Sequence, residues 1–247
     1  MTEIEQAVEG LYTTFSRYPR PKKIECCPCG CTKQDATAHL IEVSLRELRF
    51  DDLDDYCFSA MTTQGSIDDF RYLLPRIFQG IAEENCLCAP ETIFDKLNYA
   101  KWLTWHQDEI VAIRTYLHTL WQVGLNSFPL DRSLPAFCEI ESLLASIART
   151  GEALEHYLNI WTETKTLQAD ENLVQFVTMY GDEFSDGGTM HEAFWEDSKP
   201  QADALRVWLL QPDTIRRISN AASLLRNDGY EQLFAPALEV LLNQCRT

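Results

Sequence analysis

No stretch of this chain sustains an alternation of apolar and polar residues, and no Asn-Gly pair occurs. A sheet built from hairpins is therefore not expected. No apolar run approaches the ~20 residues that cross a bilayer. The opening MTEIEQAVEGLYTTF lacks the basic and apolar stretches of a signal peptide, so the expectation is a cytoplasmic protein without membrane association. Catalytic signatures are missing as well. Gly187-Gly188 has no GxxxxGK[ST] around it, and His191-Glu192 lacks the second His of HExxH. No Gly-x-Ser-x-Gly elbow exists either. No catalytic residue is assigned, and the reading leans away from an enzyme. Basic residues are few, 21 Lys+Arg against 38 Asp+Glu, for a net charge of −17. Such a charge repels phosphate backbones and anionic lipid, so the expected partner is a basic protein and not a nucleic acid.

What the chain does have is apolar residues recurring once per helical turn. Thr2 and Glu5 form a capping box ahead of Ile4, Val8, Leu11 and Phe15. Tyr18-Pro19-Arg20-Pro21 ends that helix in an extended path. Thr32 caps a short helix to about Val43, and Asp51 starts another through Leu53, Tyr56 and Ala60. Ser66 caps a central helix with Asp68 and Asp69 in its first turn, and Phe70, Leu74, Ile77 and Ile81 form its stripe. Pro75 inside that stripe predicts a kink or a restart. Pro90 opens a helix with Ile93, Phe94, Leu97 and Ala100. A long helix follows over about 107–128 and another from Pro135 to a stop at Gly151. Further helices are expected over about 152–163, 170–180, 202–210, 214–226 and 230–244. The fold class is all-α: a multi-helix bundle or an irregular α-α superhelix of HEAT-like antiparallel pairs. One domain over 1–247 is expected, with any subdivision at the acidic loop 181–190.

Nine cysteines in a reducing compartment favour metal ligation, redox chemistry or plain packing over a disulfide framework. Cys26-x-x-Cys29-Gly30 has the spacing of a zinc knuckle, and Cys86-x-Cys88 supplies a second pair. Four thiolates would close a structural zinc site that fastens the N-terminal arm to the loop after the central helix. Cys27, Cys31 and His39 are substitute ligands. Cys57, Cys138 and Cys245 fall at apolar helical positions and read as core. The acids Asp51, Asp52, Asp54, Asp55, Asp68 and Asp69 suit helix N-termini better than a cation site.

Tyr18-Pro19-Arg20-Pro21, the Cys-Pro-Cys cluster, Leu45-Arg46-Glu47-Leu48, Thr62-Thr63-Gln64-Gly65 and Asp68-Asp69-Phe70-Arg71-Tyr72-Leu73-Leu74-Pro75-Arg76 together resemble a family of uncharacterised bacterial proteins. The resemblance spans about residues 12–105 and implies an all-helical cytoplasmic protein, with no activity, cofactor or site residue attached. Two functional readings are open at this point. One is an interaction or scaffold module with an acidic surface, fastened by zinc. The other is a thiol- or metal-dependent enzyme or redox sensor using the Cys26–Cys31 loop.

Overall fold

The computed structural model describes residues 1–29, 37–84, 89–127, 139–180 and 195–224, together with Glu239. Among them are ten α-helices and no strand; pairing of the extended kind is limited to isolated bridges of Gln64 with Cys26 and with Ala60. No helix among the described residues is long and apolar enough to cross a membrane. The chain divides into two compact units, Met1–Leu120 and Trp121–Thr247.

In the first unit α1 (Glu3–Phe15) packs on α3 (Ile67–Ala82). The capping box holds as expected: Glu5 N–H donates to Thr2 Oγ1 (3.3 Å), and Thr2 N–H donates to Glu5 Oε2 (2.7 Å). Val8, Leu11 and Phe15 are buried on one side of α1, and Phe70, Leu73, Leu74, Ile77 and Phe78 on α3. A helix restart at Pro75 does not occur: α3 runs unbroken through it, and Pro75 is itself buried. Burial of the ring in the core offsets the backbone bond that it cannot make.

Between these two helices, a single 3-10 turn, Ala38–Ile41, stands in the described part of the helix expected from Thr32 to Val43; Thr32 itself lies outside the described residues. Asp51–Leu53 forms another 3-10 turn, leading directly into α2 (Asp54–Ser59). α4 (Pro90–Tyr99) packs against α2 and begins at Pro90 as its sequence demands. α5 (Gln107–Asn126) enters the core through Tyr116, whose hydroxyl donates to Phe78 O at 2.7 Å. Phe78 lies between the rings of Tyr116 and Phe94, with centroids 4.8 and 5.4 Å away.

The second unit holds the end of α5, then α6 (Glu139–Arg149), α7 (Glu155–Glu163), α8 (Leu167–Tyr180), α9 (Lys199–Leu209) and α10 (Pro212–Leu224). Its core is aromatic. Trp161 meets Trp121 edge-on (5.4 Å) and stacks on Trp208 (5.2 Å). Each indole N–H finds an acceptor: Trp121 donates to Tyr157 O, Trp161 to Ala169 O and Trp208 to Thr162 Oγ1. That is what permits such large side chains to be buried. Gly124 makes room for the next helix, since a Cβ there would lie 2.7 Å from Leu143 Cδ2. Pro135, the loop 181–190 and nearly all of the helix expected over 230–244 lie outside the described residues.

Candidate functional site

The cysteine arm is held by backbone pairing against the turn that precedes α3. Ser59 O accepts from the N–H groups of Thr62, Thr63 and Gln64, closing the turn. The arm then zips onto it: Gly65 N–H donates to Glu25 O (2.8 Å), and Cys27 N–H donates to Thr63 O (2.7 Å). Gly65 has φ +72°, where a side chain is strained. A Cβ there would also lie 3.2 Å from Ile24 Cγ2 and from Tyr56 Oη. Ile24, buried under the turn, anchors the arm to the core.

This anchoring sorts the candidate ligands. Cys26 is buried, its Sγ 3.8 Å from Thr37 Oγ1, which in turn donates to Ile24 O at 3.0 Å. Cys27 is half-buried and Cys29 exposed, and their sulfurs stand 2.7 Å apart. The Cys29 N–H also points at Cys27 Sγ, at 3.4 Å. His39 is exposed, with Nε2 3.0 Å from Asp52 O, so that nitrogen carries the proton and donates. Cys31, Cys86 and Cys88 lie outside the described residues. Among the described residues no group of three or more His, Cys, Asp or Glu side chains is placed to hold a metal ion. Among the described residues Cys27 and Cys29 are brought together, the first of which the zinc-knuckle spacing treats only as a substitute.

A second cluster was not read from the sequence. Glu109, in the first turn of α5, has a side chain with 0% exposure. It accepts from the Tyr18 hydroxyl (2.6 Å) and from the His106 N–H (3.3 Å), with the Arg17 guanidinium at 3.8 Å. Burial, and then the bond to Glu109, push the Tyr18 phenol up to about 12. The Arg71 guanidinium lies over the Trp105 ring (4.3 Å) and pairs with Asp68 (3.0 Å), while Arg17 pairs with Asp108. Every ion here has a counterion or a ring, so the cluster clamps the Tyr18-Pro19 arm onto the start of α5. Glu109 at a helix N-terminus after an aromatic pair was the available signal, but a first-turn acid is ordinarily solvated.

α1 and α3 also frame an open cleft of about 370 Å³. Ile4, Val8 and Ala82 give it an apolar floor, and Glu5, Glu9 and Glu83 give it a carboxylate rim. Glu9 accepts from Nη1 and Nη2 of Arg46 (2.7 Å each), bonds that keep its carboxyl below the usual range. Arg46 is itself stacked over Tyr12, at 3.7 Å. Glu83 accepts from Gln79 Nε2 (2.7 Å). Gln79 Oε1 in turn accepts from the Tyr12 hydroxyl and from Arg76, which ties the α3 wall to α1. The acids near α2 and α3 act locally, Asp69 in the Ser66 capping box and Asp51 in a pair with Arg49.

No family model, curated protein or solved structure matches this chain, so the residues themselves carry what can be said of its function.

Proposed function

We propose that the chain is a cytoplasmic, non-catalytic interaction module that docks a basic protein on the cleft between α1 and α3. The observation that carries this reading is the combination of a carboxylate rim with an apolar floor. A lysine or arginine side chain has the matching two-part character: a hydrocarbon stem that suits Ile4 and Val8, and a cationic head that suits Glu5 and Glu83. Glu9 is taken up by its paired bonds to Arg46. Glu5, which accepts from the Thr2 N–H with the Met1 ammonium 3.8 Å away, and Glu83, which accepts from Gln79, keep lone pairs for an incoming cation and are assigned the recognition. The net charge of −17 steers a cationic partner toward the molecule from a distance.

Titrating the full chain with a lysine- and arginine-rich peptide at low and at physiological salt tests the proposal. Binding should weaken steeply as salt rises and should fall at least tenfold, about 1.4 kcal/mol, in the double variant Glu5→Gln/Glu83→Gln. Undiminished binding in that variant would place the docking face elsewhere. Equal affinity for an acidic peptide would remove the charge argument altogether.

A further inference from the structure

We propose that Cys27 and Cys29 form a dithiol that exchanges with disulfides, Cys29 attacking and Cys27 resolving. This goes beyond the docking reading and does not rest on it. Three observations carry it. The sulfurs are 2.7 Å apart, so the arm already holds the two thiols against each other. Their surroundings are unequal: Cys29 is exposed and meets a soluble disulfide first, whereas Cys27 is half-buried. Their backbones are unequal too, because the Cys27 N–H is bonded to Thr63 O on the turn before α3. Pro28 between them restricts the link to an extended path at Cys27. Cys26, the other half of the Cys-x-x-Cys spacing, is turned inward onto Thr37 and takes no part.

The co-reactant is a small-molecule disulfide such as oxidised glutathione. The Cys29 thiolate attacks one sulfur of it; a bond from Cys29 to that sulfur forms and the original S–S bond breaks. The departing thiolate takes up the proton that Cys29 gave to water. Cys27 then attacks the Cys29 sulfur, closing Cys27–S–S–Cys29 and expelling the second thiolate, which is protonated in turn. The pair loses two electrons and two protons, and one disulfide becomes two thiols. An exposed disulfide closed across a single residue is readily reduced, so excess thiol runs the same steps backwards.

The test exposes the full chain to excess oxidised glutathione, then traps remaining thiols by alkylation and maps them by peptide mass. The wild type should show a Cys27–Cys29 link that reduced glutathione removes. Cys27→Ser should accumulate glutathione on Cys29 and hold it, because nothing resolves it. Cys29→Ser should leave Cys27 mostly unmodified over the same exposure, and Cys26→Ser should form the link as the wild type does. Unchanged helical circular dichroism in each variant separates lost exchange from lost folding. The proposal is overturned if both sulfurs are alkylated in the wild type, if Cys29 links instead to Cys31 or another cysteine, or if Cys26→Ser abolishes the link in a folded protein. It is equally overturned if the purified chain holds zinc that must be stripped before the pair reacts.

Discussion

Glu109 is a fully buried carboxylate, and its charge is met by a tyrosine hydroxyl, a backbone N–H and a nearby guanidinium. Removing one donor from such a group exposes its desolvation cost, so Tyr18→Phe should destabilise the fold by about 1–3 kcal/mol. The pH dependence has a definite sign. The folded-state value of Tyr18 is raised, to about 12 from an ordinary 10.0, so its contribution is complete below pH 10 and is lost as pH climbs from there toward 12. The gap in denaturation midpoint between wild type and Tyr18→Phe should therefore close over that window; a gap that widens would refute the bond as described. Gly65→Ala should cost about 1–2 kcal/mol, because φ +72° disfavours any Cβ, and urea denaturation would measure it. At this scale the sequence was only partly legible. Thr62-Thr63-Gln64-Gly65 announces a turn, but nothing along the chain says that residues 25–27 pair with it. Cys26, Cys27 and Cys29 look equivalent as letters, and only the burial of Ile24 and Thr37 sets Cys26 apart from the other two.

Helices were easier to read than side-chain partners, because their signals are local. Thr2 with Glu5 is a complete capping box where the spacing put it, and Ser66 caps α3 as expected, with Asp69 closing a second box where the sequence offered only a first-turn acid. Ser66→Ala should cost about 1 kcal/mol through loss of the cap, read as a shift in thermal midpoint. Pro75 is the instructive exception: of the kink or restart that a local rule foresees, the restart does not occur, and α3, buried on both sides of the proline, runs on to Ala82. The end of α7 depends on a residue far along the chain. Arg217 on α10 donates to Trp161 O (2.5 Å), to Thr164 O (2.6 Å) and to Asp170 Oδ1 (2.6 Å). It thereby satisfies carbonyls at and just beyond the end of α7 while pairing with an acid in the first turn of α8. Arg217→Ala should destabilise the second unit by about 2–3 kcal/mol, with hydrogen exchange accelerating first at the end of α7. No periodicity argument could have found that bond, since it joins residues 47 to 56 positions apart.

Across the whole chain, the all-helical class follows directly from apolar residues spaced for helices, and the described residues carry it without a strand. The division into two units at Leu120 and Trp121 was not legible. Both residues stand on the apolar stripe of α5, and no proline or glycine marks the step between them. Charge is the other property of the molecule as a whole. With a net −17, self-repulsion opposes the compact state, so screening should raise the thermal midpoint between low salt and ~0.15 M. A falling midpoint would show that paired charges such as Arg46 with Glu9 outweigh the repulsion. The same charge underlies the proposed docking of a basic partner. The most direct measurement is backbone amide NMR of the full chain on addition of a lysine- and arginine-rich peptide. The largest shift changes should fall on α1 around Glu5 and Val8 and on the end of α3 around Glu83, and they should vanish in Glu5→Gln/Glu83→Gln. Changes confined to any other surface, or none at low salt, would contradict the account.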